Sequence, residues 1–188
     1  MRLFLVVSLF VFSTVLFHGL KAEAQGLVVD VVPSVDGVAA EVRSFGARAG
    51  ASDGVDPFDQ PEPPAAPGAC PLLAMVIPGA DLPLPNLWRC DIRDLSTLLD
   101  VGLALWDAPV CVAEAPAVLR LDFTATSDLP AGFFLLVHRD GQTAEVPVPG
   151  ALELDLEGTE ESLLFEIVLE GGVEVSARNW SAVRDWYR

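Results

Sequence analysis

An all-β fold, an antiparallel sandwich of two sheets with a short C-terminal helix, is what this sequence predicts. Apolar and polar residues alternate at period two in several short stretches, most clearly Val118 to Phe123 and Leu163 to Leu169. Turn-forming pairs separate such stretches at short intervals: Asp36-Gly37, Pro78-Gly79, Asp140-Gly141. No internal repeat and no dinucleotide-type βαβ unit is visible, which leaves a sandwich of many short strands as the best architecture.

The first 24 residues are set apart from this fold. Arg2 supplies a positive start, Leu3 to Leu20 is almost wholly apolar, and Ala22-Glu23-Ala24 has small residues where a leader peptidase cuts. Residues 1–24 are therefore expected to be a secretory signal peptide, with an uncleaved anchor as the alternative. No second long apolar run follows, so the mature chain is expected to be soluble and outside the membrane. It would be secreted, periplasmic or held at the cell surface.

Of the 27 acidic and 11 basic residues, only Glu23, Arg2 and Lys21 leave with the leader, moving the formal net charge from −16 to −17. Such a balance repels nucleic acid and anionic lipid and favours cations or basic partners. The 164 remaining residues suffice for one domain, 25–176, expected to be monomeric.

Leu27 to Val32 is a β-branched run stopped by Pro33 and the Asp36-Gly37 turn, and Val38 to Phe45 is the next expected strand. Gly46 to Gly68 then forms an acidic loop in which Pro57, Pro61, Pro63 and Pro64 forbid helix interior or central strand. Pro71 to Ile77 is expected to be a buried strand. A second proline-spaced loop, Asp81 to Pro85, leads into Leu87–Ile92. Leu95 to Leu105 fits a helical turn followed by a strand through Trp106, and Ala117 to Ala125 alternates as a half-buried strand. Phe133–Arg139 and Gln142–Val148 flank Asp140-Gly141, a pair suited to a type I′ hairpin because both central residues need positive φ. Leu152 to Leu156 and Leu163 to Leu169 are two further strands, with Val173 and Val175 as a possible edge. In 177–188, Trp180, Val183 and Trp186-Tyr187 fall at roughly helical spacing, expected as a short helix or tail docking on the sandwich or on another chain.

The loop residues carry a resemblance. Phe45-Gly46, Gly50-Ala51-Ser52-Asp53-Gly54-Val55-Asp56, Asp59 and Pro61-Glu62-Pro63-Pro64 resemble a signature of exported bacterial sandwich modules of immunoglobulin or fibronectin-III type. Leu129-Pro130-Ala131-Gly132 and the Leu163–Leu169 strand are similar to later parts of the same modules, so the resemblance spans roughly residues 38–171. It implies an interaction or structural module without catalytic role, of a kind that usually sits near the C-terminal end of larger secreted proteins. The chain departs from that pattern in following a leader directly, in having cysteines, and in its insert at Ala80 to Pro85.

Several residues are candidates for chemistry. Asp53, Asp56, Asp59 and Glu62 recur at every third position and offer hard oxygen ligands suited to Ca²⁺; otherwise their side chains cap local amides. Calcium is the one cofactor expected, if any. The same loop spells G-x-S-x-G around Ser52, and the order Ser52, Asp128, His138 formally allows a hydrolase triad, yet Pro57 follows too soon for the required helix. Acid pairs for glycosidase work are numerous and none is marked out by context. Cys70, Cys90 and Cys111 allow three single-disulfide pairings; Cys70–Cys90, at the edges of two runs with a proline-rich loop between, is the preferred one. Trp88 and Trp106 pack in the core or, as the alternative, form a sugar-stacking platform. The expected partner is a protein or polysaccharide at the cell surface, with a carbohydrate-binding module second to the interaction module and a hydrolase third.

Overall fold

A computed structural model describes residues 26–64, 66, 69–77, 86–126 and 132–169. The leader, the Ala80–Pro85 insert, Asp128, Leu129–Ala131, the Val173–Val175 edge and the 177–188 helix lie outside the described residues.

Strand β1 (Gly26–Val35) buries Leu27, Val29 and Val31, every second residue, as its alternation requires. Asp36 and Gly37, both at positive φ (50° and 80°), turn it into the two-residue β2 (Val38–Ala39). The next strand, β3, starts later than the sequence suggests, at Arg43, and runs to Arg48. Gly46 faces the main chain of β1 there: a Cβ would sit 2.1 Å from the Leu27 carbonyl oxygen, so only glycine fits. After the acidic loop come β4 (Gln60–Pro61) and β5 (Trp88–Asp94).

Helix α1 (Leu95–Val101) resolves the ambiguous stretch. Asp94 caps it by accepting from the Ser96 amide at 3.0 Å, and Gly102, at φ 81°, closes it by donating to the Leu98 carbonyl at 2.8 Å. The strand expected after it is β6 (Leu103–Cys111). Four further strands fall where alternation puts them: β7 (Ala117–Ala125), β8 (Phe133–Arg139), β10 (Gly150–Leu156) and β11 (Glu160–Leu169). β9 (Gln142–Val146) pairs with β8 through Asp140 and Gly141, both at positive φ as a type I′ turn demands.

The larger sheet has the order β10-β7-β1-β3-β5-β4, with β2 paired to β1; the smaller is β6-β11-β8-β9. All ladders are antiparallel except β3–β5, which is parallel, so the wholly antiparallel expectation is corrected there. The physical reason is the long connection between them, 49–87, which carries the chain back to the starting end before β5 begins. Residues 71–77 are also not a regular strand. Leu73 and Val76 bridge to β6 while Met75 bridges to β5, so the segment is shared between the two sheets and closes one side of the sandwich. Leu73, Ala74, Met75 and Ile77 are fully buried in that seam.

The core joins the sheets through aromatic rings. Phe45 of β3 lies 4.9 Å from Phe165 of β11 and 5.3 Å from Trp106 of β6, and Phe123 of β7 meets Phe165 edge-on at 5.8 Å.

Candidate functional site

The acidic loop between β3 and β4 lies along the open edge of β5. That edge has only a two-residue partner: β4 pairs Gln60 with Cys90 and then ends. Beyond it the main-chain amides of Ile92 and Asp94 would be unpaired, and the loop supplies carboxylates instead. Asp59 Oδ1 accepts from the Ile92 amide at 2.9 Å, and Asp53 Oδ1 accepts from the Asp94 amide at 3.2 Å. Two side chains therefore stand in for an edge strand, taking alternate amides as a neighbouring strand would.

The same residues brace the loop itself. Asp59 Oδ2 accepts from the Asp56 amide at 2.8 Å, while Asp56 accepts from the Phe58 amide at 2.7 Å and the Ser52 amide at 2.5 Å. Asp53 Oδ2 also takes the Thr97 hydroxyl at 2.9 Å, tying the loop to α1. Arg48 lies over the Phe58 ring, its guanidinium carbon 4.8 Å from the ring centre. The three-residue spacing of the aspartates thus has a main-chain explanation: two serve β5 and the middle one holds the loop between them.

Electrostatics follow from burial. Asp59 is buried, which pushes its carboxyl above the ordinary 3.8; the bonds from Ile92 and Asp56 oppose that, and nearby Asp91 and Asp56 add to it. Asp59→Ala strands the Ile92 and Asp56 amides, each at a cost of about 1–3 kcal/mol. Asp53→Ala frees groups at an exposed position and should cost under about 1 kcal/mol. Urea unfolding of the two variants checks the order; equal losses would contradict the edge-strand role of Asp59.

Glu62 does not join the aspartates. It accepts from the buried Arg43 guanidinium at 3.0 Å, and Arg43 also donates to the Leu73 carbonyl at 2.7 Å, tying β3 to the side seam. The expected four-carboxylate set is therefore divided between two structural tasks. Among the described residues, no three histidine, cysteine or carboxylate side chains converge on one ion-sized position.

The disulfide joins Cys70 to Cys111, not to Cys90, which corrects the expected Cys70–Cys90 pairing. The side seam is the reason: Cys111 donates to the Leu72 carbonyl at 3.1 Å and Ala74 to the Pro109 carbonyl at 3.2 Å. Those bonds lay residues 70–74 along β6 and bring the two cysteine Cα atoms to 6.0 Å. Cys90 remains a free thiol in the middle of β5, its sulfur 3.5 Å from the Phe58 carbonyl. Burial first, then the carboxylates of Asp59 and Asp91, push that thiol up to about 12.

Trp88 and Trp106 are 8% and 0% exposed. The Trp88 indole donates to Asn86 at 2.5 Å and the Trp106 indole to the Asp91 carbonyl at 3.2 Å. Neither presents a ring face to solvent, so the sugar-stacking platform on these two residues is not formed. Ser52 and His138, the two described members of the triad, have other partners. The Ser52 hydroxyl donates to the Gly54 carbonyl at 3.0 Å, whereas His138, on the smaller sheet, contacts Glu166 at 2.6 Å and Thr143 at 2.8 Å.

One polar cluster has no signal in the sequence. Asp91 and Arg93 sit beside Phe45 and Ala47 of β3 and point into the core. Arg93 donates to Asp91 at 3.1 Å, and its guanidinium carbon lies 5.1 Å from the Trp106 ring centre. Alternation in β5 offers either face, because the strand is covered on both sides. A cavity of about 370 Å³ lies elsewhere, beside the disulfide, lined by Leu87, Pro109, Glu160 and Ser162.

Compared with known proteins, the chain matches no family model, no curated protein and no solved structure.

Proposed function

We propose that the chain is an exported, non-catalytic β-sandwich module that serves interaction or structure at or beyond the cell surface. The observation that carries this reading is the use made of the loop carboxylates: Asp53 and Asp59 complete the edge of β5 and Asp56 braces the loop. Side chains held by main-chain amides are scaffold, and they make a stiff, acidic rim on a body whose net charge without the first 24 residues is −17. The leader-like first 24 residues and the disulfide agree with an oxidising compartment. The test is expression of the full sequence in a bacterial host with an oxidising periplasm. The chain should be recovered outside the inner membrane beginning at Gln25, and a fluorophosphonate should leave Ser52 unlabelled. Retention in the cytoplasm, or a labelled Ser52, would overturn it.

A second reading adds calcium to the same loop. It rests on the like charge that Asp56 and Asp91 place at Asp59, which a divalent cation would relieve. Thermal melting in millimolar calcium and in EGTA decides it. A reversible rise in Tm that is lost in Asp53→Asn/Asp56→Asn supports calcium, and identical melts remove it.

A further inference from the structure

The two outward faces of the sandwich differ in kind. That of the larger sheet carries Arg120 held between Asp122 and Glu153. That of the smaller sheet is apolar: Leu103, Val168 and Phe134 form one cross-strand row, Leu105, Glu166 and Leu136 the next, with Leu164 beside His138 beyond. These residues alternate with Leu163, Phe165 and Ile167, which face the core, so they point away from it.

Side chains on an uncovered sheet face are largely wet. Here they are not. Leu105 is 8% exposed, and the outward pair His138–Glu166 is 10% and 12% exposed at its side chains. Among the described residues β6, β11, β8 and β9 meet edge to edge, and α1, which touches β6, also touches β3 and β5 of the larger sheet and so sits at the end of the sandwich, not over this face. Such burial calls for a third layer.

We propose that residues 177–188 form that layer, docking on the outward face of the smaller sheet through Trp180, Val183 and Tyr187. The position of β11 favours this segment. β11 lies inside the smaller sheet, between β6 and β8, so the chain leaves at Leu169 from the end of an inner strand, beside Phe133 and next to the face to be covered. Residues 170–176 then span up to about 24 Å when extended, and Gly171-Gly172 permits a reversal.

The chemistry matches as well. Trp180, Val183 and Tyr187 lie at i, i+3 and i+7, one stripe of a helix about 18 Å long. Arg178, Arg184 and Arg188 place three of the chain's 11 basic residues in this one segment, against a single acid, Asp185. The face they would meet holds Glu166 and Asp107 in a body that is otherwise strongly acidic. A basic aromatic segment thus has an apolar, acidic surface within its reach.

The test is NMR relaxation on the full sequence as exported, labelled with ¹⁵N. Docking predicts backbone order parameters over 177–188 near the rigid value of about 0.85, with ring-to-methyl contacts from Trp180 to Leu164 or Leu136. Order parameters below about 0.6, or ring contacts to other residues, would overturn it. So would an ordered segment that becomes mobile on dilution together with a fall in mass from dimer to monomer, which would assign the face to a second copy. Leu164→Lys should release the segment while the strands stay ordered. Should that variant fail to fold, Trp180→Ser/Tyr187→Ser decides the matter from the other side, and a segment still ordered in it ends the proposal.

Discussion

Replacing Arg93 by methionine should destabilise the sandwich by about 3–5 kcal/mol. The change leaves Asp91 charged, buried between the sheets and without its guanidinium. Replacing both, Asp91→Leu with Arg93→Met, should bring stability back to within about 1 kcal/mol of the parent or above it, because the desolvation of both charges disappears together. Urea unfolding measures both; a double variant as weak as the single one would show that the pair contributes net stability.

The pH dependence carries the same signature. Burial raises Asp91 above its ordinary 3.8 despite Arg93, and burial raises Asp59 too. A carboxyl with a raised folded value binds more protons folded than unfolded, so stability increases as pH falls from neutral toward 3.8. Below that value the gain is complete. Asp94, bonded by Ser96, and Asp122, bonded by Arg120, are shifted the other way, and their contribution is lost as acidification proceeds further. Melting temperature should therefore rise on mild acidification and fall again in stronger acid. In Arg93→Met the rise should steepen, and in the double variant it should flatten.

Opening the Cys70–Cys111 disulfide should lower stability by about 4 kcal/mol, from the chain entropy of a loop spanning 41 residues. For a domain of this size that corresponds to a Tm decrease of about 10 °C. The same experiment locates the free thiol. With Cys90 pushed up to about 12, its thiolate fraction near pH 8 is about a thousandfold below that of an exposed cysteine. Iodoacetamide should add nothing to the native chain, one group after unfolding and three after unfolding with reduction. Alkylation of Cys70 or Cys111 in the unfolded, unreduced chain would contradict the pairing.

The strands were legible because each is a local pattern. Val118 to Phe123 and Leu163 to Leu169 state their inward face by alternation, and Asp140-Gly141 names its turn by the φ values it requires. The acidic loop was legible as lacking helix interior and central strand, since its four prolines forbid both, and the one strand within it, β4, is a two-residue edge. Its purpose was not, because the amides of Ile92 and Asp94 that Asp59 and Asp53 serve lie more than 30 positions away. Cysteine pairing failed for a similar reason. Cys90 is nearer to Cys70 along the chain, but the seam bonds of residues 71–77 to β6 choose Cys111.

By itself the sequence determined the acidic balance, the positions of most strands and the type of the Asp140-Gly141 turn, all consequences of residue types or of residues within a few positions of one another. Only the tertiary structure decided the parallel β3–β5 ladder, the burial of Asp91 with Arg93, the division of Glu62 from the aspartates and the disulfide partner. Each of these depends on which unpaired amide, charge or sulfur the returning chain meets. That is settled by the packing of distant segments, and no local pattern records it.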